Sequence, residues 1–296
     1  MHRRLVAAGA ALLMLSVAAC GSSKDDSESR VSVAESPSFE QGSTMARLSD
    51  AGKVKVGIKF DQPGFGLQSL SGGYEGFDVE IAKIVSAGLG LEPGDIEFVE
   101  APSQRREELI ENGSVDLVVA TYTINDARKE RISFAGPYYE AGQQLMVAEG
   151  DSTITGPDAL KSNPDTKVCS VTGSTPSEQI KPYLANADQQ LVLFDVYSKC
   201  ADALRTGQVQ AVTTDNVILL GFVAQSDGAF KLVGDQFTKE PYGIGIKKGD
   251  TAFCNFIDQQ LKSASESGAY EAAWKDTAGS VEGAKTPTLP EAAPCS

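Results

Sequence analysis

From Val54 onward one pattern runs through the chain twice: short apolar runs alternate with amphipathic stretches, and the alternation restarts near Lys167. That pattern predicts two α/β units. In the first, residues 54–60 read as a strand closed by the loop Asp61-Gln62-Pro63-Gly64. Residues 77–88 carry apolar side chains at helical spacing and stop at glycine, as helices do. A strand at 96–99, a helix at 103–112 closed by Gly113 and a buried strand at 115–120 follow. A loop then leads into a short helix carrying Arg128, and 143–148 is extended. The second unit reads as strands at 167–171, 191–194 and 209–213, with helices at 176–184 and 198–206. An extended stretch at 242–246 and a closing helix at 253–270 pack back on the first unit.

Ahead of this body stands a basic start (Arg3, Arg4), an apolar run from Leu5 to Ala19, and Cys20 directly after small residues. This reads as a secretory signal over residues 1–19 with Cys20 as a lipidated N-terminus, the pattern of a bacterial lipoprotein. A mostly apolar run of 15 residues falls short of the roughly 20 that a spanning helix needs. Residues 20–45 are Ser-rich, polar and aperiodic, and read as a flexible tether. The expected division is then a first lobe of residues 46–143 plus 242–296 and a second lobe of 144–241.

Losing Arg3 and Arg4 with the leader moves the formal net charge from −14 to −16. So acidic a chain has no basic stripe for nucleic acid, and its expected contact with a membrane is the lipid anchor. The single histidine, His2, leaves with the leader. Ser-His-Asp and Cys-His catalysis and histidine-based zinc sites are thereby excluded, and no metal or cofactor is expected. Outside the cell the four remaining cysteines should be oxidised. They allow three connectivities; chain order and the two-unit division favour Cys169–Cys200 and Cys254–Cys295.

Three places carry chemistry. Residues 120–128, Ala-Thr-Tyr-Thr-Ile-Asn-Asp-Ala-Arg, put exposed hydroxyls and Arg128 where a strand gives way to a helix. Ligands of open α/β sheets bind outside the carboxyl ends of strands, and an arginine fork clamps a carboxylate there. Thr172-Gly173-Ser174-Thr175-Pro176 forms a second hydroxyl cluster at a strand end. Asp215 ends a third strand and could receive an ammonium. Each also has a purely structural reading as a helix cap or surface ion pair.

The stretches Lys59-Phe-Asp-Gln-Pro-Gly, Gly76-Phe-Asp-Val-Glu-Ile, Thr121-Tyr-Thr-Ile with Arg128, Gly136-Pro-Tyr, Cys169-Ser-Val-Thr-Gly-Ser-Thr-Pro, Thr213-Thr-Asp and Tyr242-Gly-Ile-Gly span nearly the whole body. In order and spacing the chain resembles the substrate-binding proteins of polar amino-acid ABC transporters, and most closely the actinobacterial glutamate-binding lipoproteins. The resemblance implies a type 2 periplasmic-binding-protein fold, two α/β lobes joined by a two-strand hinge, with ligand in the cleft. It implies that Arg128 grips the ligand α-carboxylate, with Thr121 and Thr123 assisting, and that Asp215 takes the α-ammonium. Phe60 would line the cleft, and Thr172, Ser174, Thr175 and Tyr197 would contact ligand from the second lobe. Lys59 and Arg106 match the cations that acidic-amino-acid binders carry; a γ-carboxylate leaving water needs such partners.

The expected function is therefore a monomeric, lipid-anchored glutamate receptor serving an ABC permease. Aspartate, glutamine and asparagine are the other ligands considered. The alternative from another class is an amino-acid sensor reporting to a membrane signalling partner. A carboxylate-based dehydratase on this fold is the enzymatic rival, disfavoured by the Arg128/Asp215 pair.

Overall fold

The computed structural model describes residues 32–295. The leader over 1–19 and the lipidation site at Cys20 lie outside the described residues.

Two five-stranded mixed sheets form the frame. The first runs Ile96–Glu100, Val54–Ile58, Leu117–Val118, Glu240–Ile246, Ser133–Ala141. Its first three strands are parallel and the last two antiparallel to their neighbours. The second runs Leu191–Phe194, Val168–Val171, Ala211–Asp215, Gln143–Ala148, Phe230–Val233, with the same change from parallel to antiparallel pairing. This is the two-lobed α/β architecture that the alternation predicts.

The chain leaves the first sheet at Ala141, enters the second at Gln143, and returns through residues 234–239. The two crossings are bonded side by side: Gln143 N donates to Thr238 Oγ1 at 3.0 Å and Phe237 N to Gln143 O at 3.0 Å. They run so close that a Cβ on Gly142 would stand 2.8 Å from the Thr238 carbonyl oxygen.

Each lobe has its own core. In the first, Phe65, Phe77, Tyr139, Tyr242 and Trp274 interlock, with Trp274 stacked on Tyr139 at 4.9 Å. Aromatic side chains bring large apolar area at fixed geometry, so this cluster sets how the closing helices sit. In the second, Val171, Leu204, Val212, Leu219 and Phe230 pack around the Cys169–Cys200 disulfide, which ties a strand to the helix Tyr197–Arg205. The Cys254–Cys295 disulfide holds the tail on the helix Thr251–Ser267, where Ala293 N also donates to Gly136 O. Both expected pairings are present.

Four expectations need correction. The tether does not extend to residue 45: Ala34 N bonds Ala87 O, Phe39 packs edge-on to Phe256, and a helix already begins at Thr44. The closing helix is two helices, Thr251–Ser267 and Ala269–Asp276, because Gly268 takes the left-handed conformation that ends helices. The helix read over 176–184 is Thr175–Gln179 followed by a 3₁₀ turn at Lys181–Tyr183, and the strand read over 115–120 pairs only at Leu117–Val118.

No helix among the described residues is long and apolar enough to cross a membrane.

Candidate functional site

A small cavity of about 10 Å³, room for about one water, lies where the carboxyl ends of the strands in both lobes face each other. Its wall takes Ser103, Arg106, Thr121 and Thr123 from the first lobe, and Ser174, Thr175, Tyr197, Thr214 and Asp215 from the second.

Thr121 sits at the end of the strand Leu117–Val118 with φ 45°, a left-handed conformation rare for a non-glycine residue. Buried Asp78 fixes it, accepting from Thr121 N at 2.9 Å and from Tyr138 Oη at 2.6 Å. Burial raises the Asp78 carboxyl to about 6, against the pull of those two hydrogen bonds. Asp78 can reach this point because the preceding Gly76, at φ 122°, lets the backbone pass Phe65, whose carbonyl oxygen a Cβ would meet at 2.2 Å.

Two arginines share the ring of Tyr122. Arg106 Cζ lies 4.0 Å from its centroid and Arg128 Cζ 4.9 Å. Arg106 is 2% exposed; its Nη1 donates to Ala120 O at 2.9 Å, while its Nε has no partner among the described residues. Arg128 is engaged on every side: Nη1 to Thr123 O at 2.6 Å, Nη2 to Gly173 O at 3.1 Å, Nε beside Glu107 at 3.4 Å. Burial, with Arg106 nearby, lowers Arg128 to about 10. Lys59, 3% exposed, donates to Ser103 Oγ at 2.8 Å; burial and the Arg106 charge bring it down to about 7.

Across the cavity, Asp215 ends the strand Ala211–Asp215. Its Oδ2 accepts from Tyr242 Oη at 2.6 Å, and its Oδ1 has no partner among the described residues. Burial and the neighbouring Glu240 raise it to about 8. Thr175 Oγ1 joins the lobes, at 3.2 Å from Thr123 Oγ1 and 2.8 Å from Glu240 Oε2. Tyr197 is buried among Ser170, Ser174 and Thr214, and burial pushes its hydroxyl up to about 12.

Of the residues expected at the ligand, the structure brings Arg106, Thr121, Thr123, Ser174, Thr175, Tyr197 and Asp215 to one wall. Four lie off it. Phe60 packs at a tilt of 46° on Tyr74, 4.9 Å between ring centroids, against the first core, and Thr172 is held by its backbone to Phe194 O. Lys59 reaches the wall through Ser103, and Arg128, which is not among the lining residues, spans the lobes to Gly173. Ser103, Thr214 and Ile218 line it without having been singled out. Ser103, one helical turn before Arg106, was open to a reading by the i, i+3 spacing.

Residues 54–276 match the model of bacterial extracellular solute-binding proteins, family 3. The chain belongs to this family. This solute-binding protein is 37% identical over 282 residues to the glutamate-binding protein GluB of Corynebacterium efficiens, covering 92% of this chain and 89% of that one. It is 36% identical over 260 residues to the ABC transporter glutamine-binding protein GlnH of Bacillus subtilis, covering 88% and 90%. Among solved structures, an ancestral arginine-binding protein bound to glutamine superposes with a TM-score of 0.70 at 32% identity, covering 76% of this chain and 97% of that one. The family match bears out the resemblance read from the motifs, and with it the two-lobed fold.

Proposed function

We propose that this solute-binding protein captures glutamate outside the membrane, anchored by lipid at Cys20, and hands it to an ABC permease. The observation that carries the reading is one cavity wall holding a buried guanidinium with an unpartnered Nε, Arg106, and a buried carboxylate with an unpartnered Oδ1, Asp215. A zwitterion with a second carboxylate supplies the missing partner for each. Leaving either group unpaired costs about 1–3 kcal/mol, which binding would recover.

In this reading Asp215 takes the α-ammonium. Arg128 takes the α-carboxylate, which as a charged acceptor outcompetes the neutral Gly173 carbonyl for Nη2. Arg106 and the Lys59–Ser103 pair face the γ-carboxylate and favour glutamate over glutamine. The names of GluB and GlnH support an amino-acid ligand of this length. A few charge-assisted bonds, less the cost of ordering, give an affinity on the order of micromolar. Ligand contacts to both lobes would stabilise the closed form.

Uptake of labelled glutamate by cells lacking this gene tests the assignment. Wild-type complementation should restore uptake, Asp215→Asn should not, and Cys20→Ala should release the protein from the cell. Full uptake without the gene would remove the transport role.

A further inference from the structure

The helix Tyr197–Arg205 of the second lobe begins at Val196, which has no side-chain oxygen to bond the first free amides. Helices commonly meet that need with Ser, Thr, Asp or Asn at the cap position. The nearest acid on its own lobe, Asp195, is turned to Lys199 at 2.8 Å. The acceptor comes from the other lobe: Asp61 Oδ2 takes the Ser198 amide hydrogen at 2.9 Å, across 137 residues of chain. A carboxylate placed there also meets the positive end of the helix dipole.

The segment that carries Asp61 is pressed against a second helix of the same lobe. In Asn216–Ala224, a Cβ on Gly221 would stand 2.3 Å from the Pro63 carbonyl oxygen. Asp61-Gln62-Pro63 is therefore a seat on the first lobe that two helices of the second lobe occupy together. Asp61 is not on the cavity wall, so it reaches the ligand through lobe position and through its charge, which favours the protonated form of Lys59.

We propose that Asp61 is the latch of the cleft: it caps the helix Tyr197–Arg205 in trans, so the cap exists only while the lobes are together. Opening leaves the Ser198 amide to water and breaks the bond between the lobes. The latch thus favours the closed form and slows ligand escape without touching ligand. This deepens the receptor reading and rests on it for the identity of the ligand.

The test uses the purified protein and glutamate in stopped flow. Asp61→Ala should raise the dissociation rate constant about fivefold, the factor that one lost helix cap brings, with association within about twofold of wild type. Val196→Ser added to Asp61→Ala separates latch from simple capping. Val196 already has the extended backbone of a capping residue (φ −138°, ψ 155°), so serine there gives the helix a cap of its own, open or closed. The double variant should regain the melting temperature and keep the fast dissociation. An unchanged dissociation rate in Asp61→Ala, or a rate restored by Val196→Ser, overturns the latch. If glutamate, aspartate, glutamine and asparagine all fail to bind wild type, the receptor reading fails separately. The latch is then read by small-angle scattering of ligand-free protein: a larger radius of gyration in Asp61→Ala supports it, and an equal one overturns it.

Discussion

The Tyr242 hydroxyl donates to Asp215 Oδ2 at 2.6 Å, so this carboxylate is held by a strand of the first-lobe sheet on one oxygen and meets the cavity with the other unpartnered. Asp215→Asn keeps the shape and the Tyr242 contact while removing the charge. Glutamate affinity should fall about 10- to 100-fold, the worth of one charge-assisted bond. The ligand-free melting temperature should hold or rise, because a carboxylate buried beside Glu240 is gone. Calorimetric titration with thermal unfolding reads both.

Protons should move when ligand binds. Asp215 lies at about 8, above its ordinary 3.8, so the native ligand-free protein holds a proton that the unfolded chain has lost. Its contribution to stability is greatest below about 4 and declines as pH rises toward 8. A ligand ammonium favours the carboxylate, so binding releases that proton and tightens from pH 6 to pH 8. Lys59, brought down to about 7, works in the other direction: a γ-carboxylate draws a proton onto it. At pH 7.5 glutamate should therefore release fewer protons than glutamine. Calorimetry in buffers of different ionisation enthalpy counts them.

Side-chain preference should rest on the first-lobe cations. Lys59→Met keeps the length of a side chain that is 3% exposed and removes the charge behind Ser103. The preference for glutamate over glutamine should drop about tenfold, with glutamine binding nearly unchanged. Competition binding measures the ratio. Equal losses for both ligands would make Lys59 a structural residue.

The Cys169–Cys200 bridge closes a loop of 31 residues within the second core. Cys169→Ala with Cys200→Ala should lower unfolding stability by about 2–4 kcal/mol, seen as an earlier denaturant midpoint.

Elements with a clean period were legible from the sequence. The helix Phe77–Gly88 and the strands Gln143–Ala148 and Leu191–Phe194 fall where the apolar pattern puts them. The helix Asn216–Ala224 was not read, because it is apolar nearly all round and shows no amphipathic face. The strand Ser133–Ala141 was obscured by Pro137, a residue that normally argues against a strand interior. At the site, Asp215 was legible from its place at a strand end, and Arg106 only through the family resemblance. The roles of Asp61 and Asp78 were not, because each bonds a backbone amide far away in sequence, Ser198 and Thr121, and no local pattern encodes that pairing.

The most direct measurement is calorimetric titration of the protein, refolded to strip bound ligand, with glutamate, aspartate, glutamine and asparagine in turn. The expected result is tightest binding of glutamate, on the order of micromolar, weakened at least tenfold by Arg106→Gln. Preference for glutamine or asparagine, or no heat from any of the four, would contradict the glutamate assignment.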